Sequence, residues 1–209
     1  METDDVRLSR KEQEKEARKK DILNAAANLF STRGFHEVKV DDIADQVGLS
    51  KGTIYLYFEN KEKLFYSIIF ERTLTLEQQL NEYLQCDLPF IKCLKSFVET
   101  YFAYFQQNEA FFKILQSHKS LVEKDEHFEM HHKAREAYMR LYLQMVSFVK
   151  RGQQQNIIRA IDPVDVTKML WGMLHAFTFN RIMNGSDELD DEHETDHFID
   201  LFLNGVKKS

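Results

Sequence analysis

Residues 41–65 read DDIADQVGLSKGTIYLYFENKEKLF, and this stretch decides the fold. Ile43, Ala44 and Val47 give a first short helix, at about 41–47, one apolar face, and Leu49, Ile54 and Phe58 continue that face across a turn at Gly48. Ser50 is placed to cap a second helix by accepting from the Thr53 backbone N–H. The other side of that helix presents Lys51, Gly52, Thr53, Tyr55 and Tyr57, donors and rings that packing alone does not require. The pattern predicts a helix-turn-helix over about 41–60, whose second helix enters the major groove with its N-terminal residues near base edges.

The displayed residues have separable chemistry. Lys51 can donate to guanine O6 and N7, and the Thr53 hydroxyl or methyl can read a base. Gly52 lets the backbone approach DNA closely. Tyr55 and Tyr57 offer hydroxyls on stiff rings, and Lys61, at the start of the following helix, is expected to grip phosphate beside the positive helix end. Ser50 belongs to the same candidate set.

Working outward, residues 9–33 predict one helix that carries Ile22, Ala26, Leu29 and Phe30 and is closed by Gly34, where a left-handed residue is cheapest. A longer helix is expected from about Asn60 to Tyr83. Pro89 and Pro163 each fall in the first turn of a periodic apolar segment, where a missing N–H costs nothing. Further helices are expected at about 108–117, 121–151 and 191–206, with an acidic loop from Ser186 running into the last. The fold class is all-α, with about nine helices and no internal repeat.

Composition agrees. Only two prolines and seven glycines interrupt 209 residues, and the length is ample for a self-sufficient core. Residues 1–65 hold 12 Lys and Arg against 13 Asp and Glu, whereas residues 66–209 hold 16 against 21, so the net charge of −6 lies mostly outside the helix-turn-helix. Local cations in a near-neutral domain can still meet phosphate. No apolar run approaches the roughly 18 residues of a membrane span, and a cytoplasmic protein is expected. Cys86 and Cys93, seven apart, are read as reduced packing residues sharing one helix face. His127/His131 and His193/His197 have the spacing of a metal-binding pair, but no third ligand is fixed nearby, and these histidines are read as solvated surface.

The stretch 41–65 resembles the TetR family. The family pattern of Ile-Ala, Gly-Val-Ser, Gly-x-x-Tyr, Tyr-Phe and Lys-Glu-x-Leu is met by Ile43-Ala44, Gly48-Leu49-Ser50, Gly52 to Tyr55, Tyr57-Phe58 and Lys61-Glu62-Lys63-Leu64. The family commonly places Thr just before its second helix as cap and phosphate ligand. Here Lys39-Val40 stands there, so Lys39 keeps a phosphate contact by charge and Asp41 is the candidate cap. The close resemblance covers about residues 17–77. It implies an N-terminal arm (1–16), a DNA-binding domain (17–77) and a ligand-binding and dimerisation domain (78–209). It further implies a transcriptional repressor that leaves an inverted-repeat operator when a small molecule binds.

For that molecule the candidate lining is Phe97, Tyr101, Phe105, Phe112, Tyr138, Tyr142, Met145, Trp171, His175 and Phe179, with Tyr101, Tyr138, Tyr142, His175 and Asn180 as polar groups. The expected effector is a hydrophobic or aromatic compound, a fatty-acyl species among them. The last two helices carry more apolar residues than one protomer can hide. Met169, Gly172, Met173, Phe177, Phe198, Ile199, Leu201 and Phe202 are therefore expected at a twofold homodimer interface, as the resemblance also implies. No cofactor and no metal are expected. The alternative is an all-helical ligand carrier or enzyme without DNA binding; no nucleotide-binding glycine loop supports it, and no hydrolase or zinc-protease site is expected.

Overall fold

In the computed structural model, which describes residues 10–117, 129–184 and 191–206, every regular element is a helix. They run α1 (Arg10–Arg33), α2 (Val40–Gln46), α3 (Lys51–Tyr55), α4 (Lys61–Leu84), α5 (Phe90–Gln107), α6 (Glu109–Ser117), α7 (Glu129–Gln154), α8 (Pro163–Asn184) and α9 (Asp191–Val206). The expected arm before Arg10, the expected first turns of α7 and His127 lie outside the described residues. No helix among the described residues is long and apolar enough to cross a membrane.

The helix ends follow local chemistry. Gly34, at φ +83°, closes α1 by donating to the Phe30 carbonyl at 3.0 Å, and Gly48, at φ +66°, makes the turn after α2. The Ser50 hydroxyl accepts from Thr53 N–H at 3.1 Å, and the Asn60 amide oxygen from Lys63 N–H at 2.7 Å, so α3 and α4 begin on side-chain caps. At α2 the expectation of an Asp41 cap is corrected. Lys39 is the N-cap, and Asp42, three residues on, reaches back to accept its N–H at 2.8 Å. That bond, followed by the charge of Arg33 at 3.2 Å, holds the Asp42 carboxyl below the usual carboxylate range.

Helices α1 to α3 close over Ile22, Ala26, Phe30, Ile43, Ala44, Ile54 and Phe58, with Phe30, Phe35 and Phe65 ring to ring. Helix α4 starts in this head and continues into the body, lying along α7 and against α5. The body core is aromatic: Phe90 and Phe97 of α5 stack on Phe148 of α7 with centroids 4.6 and 5.9 Å apart. Each such ring contributes on the order of 1.5–3 kcal/mol by leaving water. Arg151 of α7 donates to the Cys86 carbonyl at 2.7 Å, tying the end of α4 to the body. A second connection between head and body is noncovalent, because α6 packs on α1.

Three expectations are corrected here. Because α4 ends at Leu84, Cys86 lies in the connection and Cys93 in α5; their Cα atoms are 6.6 Å apart and the two are joined as a disulfide. His131 is not solvated: its ring is buried against Tyr66, centroids 5.0 Å apart. Phe198, Ile199 and Phe202 are buried within the protomer, where Phe198 meets Phe102 and Phe177 at 5.7 and 5.2 Å. Helix α9 thus spends its strongest apolar face on α5, and those three residues are not available at the surface.

Candidate nucleic-acid interface and effector cavity

Helix α3 is five residues long and buries only Ile54. Lys39, Ser50, Lys51, Gly52 and Tyr55 are exposed on the head, and Thr53 and Tyr57 are partly so. Ser50 has a structural duty as cap, and its hydroxyl also meets the Thr53 hydroxyl at 2.8 Å. At Gly52 an added Cβ would meet nothing nearer than the Ser50 hydroxyl at 3.8 Å, so the protein's own packing does not demand a glycine there. The Lys51 ammonium rests on the Asp41 carboxylate at 2.7 Å, and this bond holds its proton above the usual lysine range.

The Lys61 ammonium donates to the carbonyls of Phe35 at 2.9 Å and Val38 at 3.0 Å and sits 4.4 Å from the centre of the Phe35 ring. It clamps the loop before α2 against α4. Sequence reasoning also missed Leu56, which is 81% exposed beside Tyr55 at 44%. An apolar side chain left so bare next to the helix-turn-helix is suited to a thymine methyl. The signal available in sequence was its polar-face position, masked by its apolar character.

The body holds a cavity of about 160 Å³. Its walls are Thr73 and Leu76 from α4, Tyr101 and Phe105 from α5, and Phe111, Phe112 and Leu115 from α6, with Tyr138 and Leu141 from α7 and Trp171 and His175 from α8. Of the expected lining, Tyr101, Phe105, Phe112, Tyr138, Trp171 and His175 are in place. Phe97 and Met145 are buried in core beyond the cavity, Tyr142 is partly exposed outside it, and Phe179 and Asn180 face outward, Phe179 at 41% exposure. Thr73, Leu76, Phe111, Leu115 and Leu141 were missed. Burial pushes the Tyr101 and Tyr138 hydroxyls up, away from ionisation, and pushes His175 down, so it stays neutral.

Two enzyme-like patterns do occur in the chain, contrary to the expectation of none. Gly48-Leu49-Ser50-Lys51-Gly52 fits G-x-S-x-G, which in hydrolases needs a strand-to-helix turn. Here Ser50 follows a helix and its hydroxyl caps α3. His193-Glu194-Thr195-Asp196-His197 fits H-E-x-x-H on α9, where Glu194 would have to act as base. Its carboxylate instead pairs with Arg181 at 3.0 Å, Asp196 pairs with Lys95 at 2.7 Å, and no group of three metal-binding side chains occurs among the described residues.

Two family models match the chain: the bacterial regulatory proteins of the tetR family over residues 22–68, and a tetracyclin repressor-like C-terminal domain over residues 91–189. The protein belongs to the TetR family of bacterial regulators. The fatty acid metabolism regulator protein of Bacillus subtilis is 43% identical over 51 residues, which is 24% of this chain and 26% of that protein. The transcriptional regulator YdgC of the same organism is 48% identical over 54 residues, 26% of this chain and 27% of its own length, so these matches take in about a quarter of the relatives. Among solved structures, the TetR-family regulator PfmR of Thermus thermophilus superposes with TM-score 0.74 at 26% identity, covering 90% of this chain and 99% of that one. FadR of B. subtilis, solved with stearoyl-CoA, gives TM-score 0.73 at 22% identity, covering 90% and 98%, a likeness of fold.

Proposed function

We propose that the protein is a cytoplasmic, homodimeric repressor that binds an inverted-repeat operator and is released from it by an uncharged apolar effector. In this reading residues 17–77 read DNA, and residues 78–209 bind the effector and dimerise. The observation that carries it is the sharing of helices: α4 and α6 line the cavity, α4 begins inside the head, and α6 packs on α1 of the head. An occupant that displaces Leu76 or Phe111 moves elements that set the position of α3.

Lys39, Lys51, Gly52, Thr53, Tyr55, Tyr57 and Leu56 form the DNA-facing set, with phosphate contacts positioning the head and α3 reading bases. Two heads on a dimer present their α3 helices to half-sites about one turn, roughly 34–36 Å, apart. Only differential affinity for the two dimer shapes shifts the equilibrium, by about 1–3 kcal/mol in a useful switch. A mobility shift with the protein's own promoter region tests DNA binding; Tyr55→Ala should abolish the specific complex and leave the fold intact by circular dichroism. Equal retention of promoter and random duplex by the unaltered protein would refute it.

A further inference from the structure

The geometry points to a specific chemical class for the cavity's occupant: a neutral single-ring compound carrying one carbonyl oxygen, held by the Tyr101 and Tyr138 hydroxyls. This rests on the reading of the cavity as the effector site and narrows it.

The size sets the ring count. A dry apolar cavity of about 150 Å³ accepts benzene, and this one, at about 160 Å³, has room for one ring with a small substituent. Its walls are rings on several sides: Phe105 and Tyr101 lie 4.9 Å apart, Phe112 and His175 5.1 Å, and Trp171 stands edge-on to Tyr138 at 5.2 Å. Such walls favour a flat occupant in offset or edge contact.

The polar groups set the functional group. Tyr101 is enclosed at 2% exposure, and no described residue accepts its proton. A hydroxyl of the cavity wall with no protein acceptor can donate to an acceptor on an occupant. Tyr138 lines the same cavity, edge-on to the Trp171 ring, and its hydroxyl proton is also available to donate. Two O–H donors match the two lone pairs of one carbonyl oxygen.

The charge is set by what the wall omits. No described lining residue is Lys, Arg, Asp or Glu, and His175 is neutral. A carboxylate or phosphate would enter without a counter-ion, and burying an unpaired charge is far more costly than burying a carbonyl.

Isothermal titration of the full-length protein with acetophenone, benzoate and ethylbenzene separates these arguments, since the three share one ring and differ in the group attached. Acetophenone should bind about tenfold more tightly than ethylbenzene, the equivalent of one net hydrogen bond, and at least tenfold more tightly than benzoate. Tyr101→Phe should shrink the acetophenone advantage, and Tyr101→Phe with Tyr138→Phe should bring acetophenone down to the ethylbenzene level, while ethylbenzene affinity, which reports an intact cavity, is unchanged. Benzoate binding as well as acetophenone, no binding of either neutral ring, or an acetophenone advantage that survives both Tyr101→Phe and Tyr138→Phe would overturn the assignment. Hexadecanoyl-coenzyme A that releases operator while the neutral rings fail to bind would also sink it and leave the regulator reading standing. Acetophenone that binds as expected yet leaves operator affinity unchanged would support the assignment and refute the sensor.

Discussion

The Lys51 ammonium lies 2.7 Å from the Asp41 carboxylate, across the turn between α2 and α3. Both side chains are about half exposed, so the pair adds little to stability, but it takes up a cation proposed to face DNA. Asp41→Asn should tighten binding to random-sequence duplex and make the log K against log salt slope more negative by about 0.9, one additional phosphate contact. Fluorescence anisotropy across a salt series measures both. An unchanged slope would mean that Lys51 leaves Asp41 unaided whenever DNA arrives.

Lys61 should behave as a folding residue. Its two carbonyl acceptors and the Phe35 ring join α4 to the loop before α2, and hydrogen bonds to a charged group contribute about 1.5–3 kcal/mol each. Lys61→Ala should lower the unfolding free energy measured in urea by about 1.5–3 kcal/mol and leave the salt slope of DNA binding unchanged at temperatures where the variant is folded. Normal stability with a slope shallower by about one would restore the phosphate contact.

The neutral His175 predicts a pH dependence. Burial lowers its pKa from the ordinary 6.5, so between the folded value and 6.5 the unfolded chain binds more protons than the folded one. The associated stability is complete above pH 6.5 and is lost as pH falls through the folded pKa. Urea midpoints of the native protein and His175→Gln, compared between about pH 5 and 8, should differ by an amount that shrinks on acidification, the other histidines cancelling in the comparison. A pH-independent difference would place His175 in water.

Gly152 tests the packing of α7 on α5. A Cβ there would lie 2.8 Å from the Phe90 ring and 2.8 Å from Ile158, and the ring cannot retreat because it is stacked on Phe148. Gly152→Ala should therefore destabilise by about 1–3 kcal/mol, despite the better helix propensity of alanine. Phe90→Leu, which trades a flat ring for a shorter side chain, should reduce that penalty in a double-mutant cycle. Additive losses would show that the two sites do not share space.

Helix positions were legible because punctuation is local: Gly34, Gly48, Ser50, Asn60, Pro89 and Pro163 act on neighbours within one turn. The family resemblance was legible for the same reason, being carried by contiguous residues. Long-range partners were not. Nothing near Lys61 in sequence announces the carbonyls of Phe35 and Val38, and nothing in α4 marks Thr73 and Leu76 as cavity wall. The two cysteines were misjudged because their spacing of seven was read as one helix face, although Cys86 falls between the helices expected to end at about Tyr83 and to begin at Pro89, where the turn brings them together. The apolar residues of helix α8 are spread around its circumference with no net direction, so periodicity could not say which side faces inward.

That ambiguity in α8 is resolved by burial, which shows the face left open to a second copy. Leu170 and Leu174 point into the protomer, while Met169, Gly172, Ala176, Phe179 and Met183 lie along the exposed side, at helical spacings of three and four. An added Cβ at Gly172 would meet nothing within 4 Å in the single chain, which leaves a flat place where a second helix can come close. Leu201, 45% exposed on α9, is the one residue of the original α9 set that stays outside. If two copies pair through this side of α8, Phe179→Glu places an unpaired charge in the contact and should give folded monomers with weakened operator binding. Phe198→Glu places the charge in the protomer core against Phe102 and Phe177 and should unfold the body instead. Sedimentation equilibrium with far-ultraviolet circular dichroism separates the two outcomes. An intact dimer in Phe179→Glu, or a folded monomer in Phe198→Glu, would move the interface off this face of α8.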